Sequence, residues 1–490
     1  MSAIIRDVFR VKTLTTFINS LTVDSLYLGI ARPQFWDTIA GLDTIVPTPT
    51  NTNIGINSDW DDMLALKRLN VSDVISGIFK EMWQANVVYD IYRTDWDGTR
   101  IASYNGPNIS PTMPSSLSDV KFYVVTANYN IYACIKHLVV NGVPQPSLYS
   151  PDTGISIGTN TGVVKTADSY YWKFIAATSP ADLVKFSSTY YHPLETLSTA
   201  PAPADPYYTQ WTNQTYSASF KGGIYTINVL SQGSGYNGGI AGNRVVSNSA
   251  TDTQFSVIGN GIGLQYTVIY GAGGSIVDVE VENPGRGYTQ AIITTANGTG
   301  GSFEIIFSPM TGFGCDPLKD LVARYLLIDT TLTGAEGNGI FTISNEYRKL
   351  ALIINPYNFG TTSSATSADL DASITLNMGL SLSLAAYPSD AIITGTVSGA
   401  KGRVVDFNTV TGNLRIIRTS SENFNSLGAS ASFQVNESIT SVPGTGNATI
   451  ASISNPSVQK YTGDIIYSEY RAPVLRSALQ TEDIKVVVRF

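Results

Sequence analysis

The stretch Tyr225–Tyr236, YTINVLSQGSGY, returns in altered form at Val277–Tyr288, VDVEVENPGRGY. Each copy alternates apolar and polar residues and then runs into a Gly-x-Gly-Tyr turn. Alternation with period two is the signature of a strand with one buried face, and glycines supply the left-handed backbone of a tight turn. Two copies define a Gly/Tyr-rich β module over residues 214–310. Working outward, the same grammar recurs. KFYVVT (121–126), YACIKHLVV (132–140), YYWKFIAA (170–177) and VVYDIYR (87–93) read as strands, as do LVARYLLIDTTL (321–332) and YRKLALIINP (347–356). A second β module spans 387–456, with a turn at Gly399–Gly402, a hairpin at Thr411-Gly412-Asn413, and the related segment SITSVPGTGNATIASIS (438–454). IKVVVRF (484–490) reads as a terminal strand. TAPAPADPY (199–207) is an extended connector.

Composition agrees with this reading. The 490 residues include 43 Gly, 22 Pro and 27 Tyr, and only 14% are charged, well below the usual ~25%. Few charges, many β-branched and aromatic residues and frequent turn formers predict a mainly β protein. The expected architecture is a layered β-sandwich core with a few helical excursions and two inserted small β modules. Helical spacing of Trp60, Met63, Leu64, Leu66, Leu69, Val71, Val74, Ile75, Ile78 and Phe79 predicts a helix near 59–80, capped by Ser58 or Asp59. A shorter amphipathic helix is expected from about Arg10 to Leu21.

Several function classes fall away. A net charge of −8 opposes phosphate backbones and anionic lipid, so no nucleic-acid or membrane partner is expected. The first residues carry Arg6, Asp7, Arg10 and Lys12 with no signal-peptide pattern, and no apolar run is long enough to span a bilayer. Two cysteines, Cys134 and Cys315, make neither a disulfide framework nor a zinc site.

Catalytic motifs fail their structural tests. Gly154-Ile155-Ser156-Ile157-Gly158 matches a nucleophile elbow, but no helical sequence follows it and the sole downstream histidine is His192. Gly233-Ser234-Gly235-Tyr236-Asn237-Gly238 matches a dinucleotide fingerprint without the helix that would hold pyrophosphate. Asp95-Trp96-Asp97-Gly98 opens like a calcium loop, but Ser103–Gly106 offers no carboxylate where the closing ligand belongs. His137 reads as a strand histidine and His192 as the end of a strand. No catalytic, cofactor or metal residues are assigned, and the chain is expected to be neither an enzyme nor a cofactor carrier.

The C-terminal string TGDIIYSEYRAPVLRSALQTEDIKVVVRF (462–490) resembles the end of the dimeric baseplate wedge subunit family of T-even-type contractile-tailed bacteriophages. Gly463, Ile466, Tyr467, Glu469, Arg471 and Pro473 carry the resemblance, with Gln480-Thr481-Glu482 and Ile484 following. ARYLLIDTTLTGAEG (323–337) through Asn355-Pro356 is similar to a second family segment. Weaker echoes lie at Gly29, Arg32 and Trp36, at Trp60 leading to Arg93, Asp95 and Trp96, and at Tyr170–Phe174. The resemblance covers 1–213, 311–386 and 457–490 as one core, with 214–310 and 387–456 as insertions that would project from it. It implies a virion protein assembled in the host cytoplasm: a homodimer in each baseplate wedge that contacts other wedge subunits and adjacent tail proteins. It also implies a part in the rearrangement that triggers sheath contraction. Tyr467, Tyr470, Arg471 and Pro473 are the candidate interface residues, with Arg471 expected to pair with Glu469 or a neighbouring carboxylate. The competing readings are a receptor-binding or adhesin-like tail protein holding host glycans on stacked aromatics, and a polysaccharide-degrading tail enzyme.

Overall fold

The computed structural model describes residues 6–36, 45–93, 117–140, 143–247, 254–333, 340–341, 346–379, 384–417, 431–477 and 480–490. The protein is mainly β, and its named strand pairs are antiparallel. The Asp95–Gly98 motif and the loop 334–337 lie outside the described residues. The chain forms two compact units. One holds Met1–Thr16, Ile75–Leu327 and Arg489–Phe490; the other holds Phe17–Val74 and Ile328–Val488.

The first unit is built on a five-stranded sheet in the order Tyr123–Val125, Asn130–Lys136, Tyr171–Ala177, Val163–Lys165, Ile155–Ile157. Alternation sorts its side chains onto two faces. Ile131, Ala133, Ile135, Tyr171 and Ile175 enter one core, whereas Tyr132, Cys134, Trp172 and Phe174 enter another under Val87 and Tyr89. The strand expected at 87–93 is irregular backbone after an isolated bridge at Val87. Its side chains cover the sheet without joining it.

The Gly/Tyr-rich module belongs to this unit, and it is a duplication. Strands Ile262–Tyr270 and Ile276–Arg286 pair in the same register as Thr299–Phe307 and Ile224–Ser234. Ile262 faces Arg286 as Thr299 faces Ser234, and Leu264 faces Pro284 as Gly301 faces Gln232. Tyr266 faces Val281 as Phe303 faces Val229, and Tyr270 faces Ile276 as Phe307 faces Ile224. Both register shifts fall at matching points. The first strand of the module pairs with its last, so the second copy is completed by the beginning of the segment. The repeated turns explain the motif. Gly233, Gly235, Gly285 and Gly287 all have positive φ (59°, 79°, 62° and 77°), and the closing Tyr236 and Tyr288 are 1% and 2% exposed. Each ring lies on a glycine: a Cβ on Gly298 would come within 2.1 Å of Tyr236, and one on Gly261 within 2.4 Å of Tyr288.

This module does not simply project. Tyr225 and Ile306 enter the core of the five-stranded sheet, and Arg93 grips Glu304 through two hydrogen bonds of 2.6 and 2.7 Å. Asp278 receives Lys136, Lys165 and Tyr171, and Lys165 also reaches Glu280 at 2.6 Å. Those cations hold the Asp278 carboxyl well below the usual range.

The second unit contains a five-stranded sheet in the order Asp369–Asp371, Met63–Leu69, Leu26–Ala31, Glu346–Ile354, Asp464–Leu475. The helix expected near 59–80 is corrected here. The helix is Asn53–Asp61, capped by the Thr52 hydroxyl, and the sequence then becomes strands Met63–Leu69 and Val74–Phe79 around a short 3₁₀ turn at Val71–Asp73. Met63, Leu64, Ala65 and Leu66 are all buried because both faces of this inner strand are covered. A continuous apolar run satisfies helical spacing as readily as it fills such a strand. The helix at the N-terminus is Asp7–Ser20.

The second β module is a seven-segment sheet ordered 447–449, 438–442, 392–395, 401–408, 413–417, 374–377, 452–454. Its two ends are successive pieces of one chain. Ile450 N–H donates to Glu437 and Ala451 N–H to Asn377, so the sheet curls round on itself. Leu376, Tyr387, Ile393, Phe407, Leu414 and Ile439 fill it. The strand Ile374–Asn377, which the sequence assigns to the core, completes this module.

Candidate functional site

Asp464–Leu475 is an outer strand, hydrogen-bonded along Glu346–Ile354. Alternation gives it two characters. Ser468 and Tyr470 point toward the helix Asn53–Asp61, and both hydroxyls donate to Asp59 at 2.6 Å. Asp59 is 4% exposed and lies 3.2 Å from Lys349 Nζ, which also reaches Asp62 at 3.0 Å. The Lys349 ammonium stands 4.7 Å from the Tyr470 ring centre, and Trp36 lies 5.0 Å from the same ring. Arg32 covers Trp36 and pairs with Asp62. Burial, with the hydrogen bond to Asp59 second, pushes the Tyr470 hydroxyl above its ordinary range. Tyr470 is therefore an internal anchor of the strand.

Tyr467 and Arg471 alternate with those inward residues and are half-buried. Glu469 accepts the Tyr467 hydroxyl at 3.1 Å; the sequence offered it, or a neighbouring carboxylate, as the partner of Arg471. Burial, with Glu469 next, moves the Tyr467 hydroxyl up to about 12. The Arg471 carbonyl accepts the Trp36 indole N–H at 2.8 Å. Pro473 sits in the register shift between Tyr470 and Val474, where a missing N–H costs no ladder bond. All four candidates thus share one strand. Trp36, Asp59 and Lys349, which position that strand, were missed as a group because Asp59 was read as a helix cap.

The rejected motifs stay apart. Ser156 is exposed on the short strand Ile155–Ile157, whereas His192 is buried and bonds Thr178 at 2.8 Å. Burial lowers His192 to about 3 and His137 to about 4, leaving both neutral at ordinary pH. Gly233–Gly238 forms a turn with no long helix behind it. Among the described residues no group of three or more His, Cys, Asp or Glu is placed to hold a metal ion, and no helix is long and apolar enough to cross a membrane.

No family model matches the chain, and no curated protein matches it.

Proposed function

We propose that the chain is a non-enzymatic structural subunit of a contractile phage tail baseplate wedge, acting as a homodimer among other wedge proteins. The observation that carries this reading is the outer strand Asp464–Leu475. It holds the family-like string, is locked from behind by Asp59, and turns Tyr467 and Arg471 to its other face. A rigid outer strand with aromatic and arginine side chains is suited to a protein contact, because Tyr and Arg are the groups enriched at interfaces and the backbone edge can be covered. The low charge of the whole chain fits the same role.

The adhesin reading draws no support from the repeated motif. The motif tyrosines Tyr236 and Tyr288 are buried and cannot stack on a sugar. A cleft of about 810 Å³ beside the duplicated module is lined by groups such as Lys136, His137, Asn228 and Glu304, with no Tyr, Trp or Phe among its described lining residues.

Light scattering on the full chain tests the proposal. Twice the 52.6 kDa chain mass is expected, and three times that mass would move the assignment to a spike or fibre. The double substitution Tyr467→Ala with Arg471→Ala should give monomers and abolish co-purification with neighbouring tail proteins, with the melting temperature little changed. A lower melting temperature with the oligomer intact would remove these residues from the interface.

A further inference from the structure

The strand Tyr171–Ala177 carries Lys173, which is 0% exposed, and the helix Tyr208–Ser217 lays Asn213 against it. Lys173 Nζ lies 2.6 Å from Asn213 Oδ1 and 3.1 Å from Ser217 Oγ. Asn213 Nδ2 donates to the Phe174 carbonyl at 3.2 Å, which fixes the amide plane. Among the described residues no carboxylate forms an ion pair with this lysine; Asp320, 3% exposed, acts on its charge and is joined to the site through Gly314. The Gly314 N–H donates to Asp320 Oδ2 at 2.6 Å, and the other side of Gly314 faces the reacting pair. A Cβ there would stand 2.8 Å from Asn213 Nδ2 and 3.2 Å from Lys173 Nζ. Gly162 closes the opposite wall, where a Cβ would lie 2.4 Å from Asn213 Oδ1 and 2.7 Å from Lys173 Nζ. Glycines on both sides bring backbone against an amine, a carboxamide and a carboxyl that are shut off from solvent.

We propose that Lys173 and Asn213 become joined by an intramolecular isopeptide bond, with Asp320 as the proton carrier. The Lys173 Nζ lone pair attacks Asn213 Cγ while the Asp320 carboxyl, through its O–H, stabilises the charge growing on Oδ1. The Cγ–Nδ2 bond then breaks, and Nδ2 leaves as ammonia with a proton relayed from Nζ through Asp320. One N–C bond forms and one breaks, no electrons are exchanged, and the only by-product is ammonia.

The surroundings supply what this step needs. Burial lowers the Lys173 amine to about 7 and raises the Asp320 carboxyl to about 8, so near neutral pH both reach the uncharged forms that act as nucleophile and acid. Holding the groups in contact in a dry pocket replaces a slow bimolecular condensation by a positioned one. Ser217 Oγ and the Phe174 carbonyl hold the amine and the amide in place.

Intact mass measurement on the denatured full chain tests this directly. The expected mass is below the sequence mass by one ammonia, with trypsin failing after Lys173 and releasing a branched peptide that joins the segments containing Lys173 and Asn213. The full sequence mass, with normal cleavage after Lys173, would overturn the proposal. So would an ammonia loss mapped to any other asparagine. Asp320→Asn should retain the full mass in chain that is still folded by circular dichroism, and a crosslink undiminished in that variant would remove Asp320 from the step. If that variant does not fold, the wild-type peptide map alone decides the bond.

Discussion

Asp59 holds more of the second unit together than its position at a helix end suggests. It accepts the half-buried Ser468 and Tyr470 hydroxyls and pairs with Lys349, which is buried as Asp59 itself is. Asp59→Ala should cost about 3 kcal/mol in urea unfolding, since it leaves two hydroxyls without their acceptor and removes one of the two carboxylates, Asp59 and Asp62, that pair with the buried Lys349 ammonium. Tyr470→Phe should cost about 2 kcal/mol, because a single hydrogen bond to a charged acceptor is removed. At Asp320 the sign is opposite to that of an ordinary carboxylate. Its folded pKa of about 8 exceeds the ordinary aspartate value of 3.8, so its contribution is present at low pH and is lost as pH rises across that interval. Asp320→Asn should flatten that decline in a pH series of melts. A free Lys173, depressed to about 7, would restore stability between there and 10.5, and the isopeptide bond would erase that alkaline limb. Tyr470 and Pro473 were legible as special residues in a strand. Their division into anchor and bulge was not, because it depends on a helix more than 400 residues away in the chain.

Among elements, strands with clean alternation were readable, and the buried ones were not. Tyr171–Ala177 appears where its sequence places it, whereas Met63–Leu69 was taken for helix because burial on both faces erases the alternation that distinguishes the two. Tertiary cover decided that segment, helped by the β-branched Val71, Val74 and Ile75 that follow. The two Gly-x-Gly-Tyr copies were visible, but their cyclic arrangement was hidden, because the partner strands of the two copies resemble each other only in register. The tyrosine clamps make a paired prediction. Gly298→Ala and Gly261→Ala should each destabilise the module by about 2 kcal/mol or more, since each new methyl meets a buried ring with no room to yield. Thermal melts of the two variants should shift by similar amounts. In the other module Glu437 latches a turn by accepting the Val397, Ser398 and Gln434 backbone N–H groups at 2.6–3.1 Å. Those donors lower its pKa against the opposing effect of burial. The latch therefore contributes above the ordinary glutamate value of 4.5 and weakens as pH falls through the lowered one; Glu437→Gln should remove that acid sensitivity from the melts.

At the scale of the molecule, each unit is assembled from segments far apart in sequence, which no local pattern can announce. The sequence does show where strands crowd together. It cannot show that Ile374–Asn377 closes the second module or that Arg93 clamps the first, since both depend on pairings across long loops. If the isopeptide bond forms, it closes a loop between residues 40 apart and should add about 4 kcal/mol through the unfolded state alone. The duplicated module has a mechanical consequence as well. Its chain arrives at Ile224 and departs at Phe307, and these two residues face each other at one end of a single antiparallel pair. Tension along the chain would pull the two strands apart from that end, breaking their hydrogen bonds one after another rather than all together. Strands pulled from a shared end behave as a zipper, so once the core contacts of Tyr225 and Ile306 and the Arg93–Glu304 clamp give way, this segment would pay out length step by step.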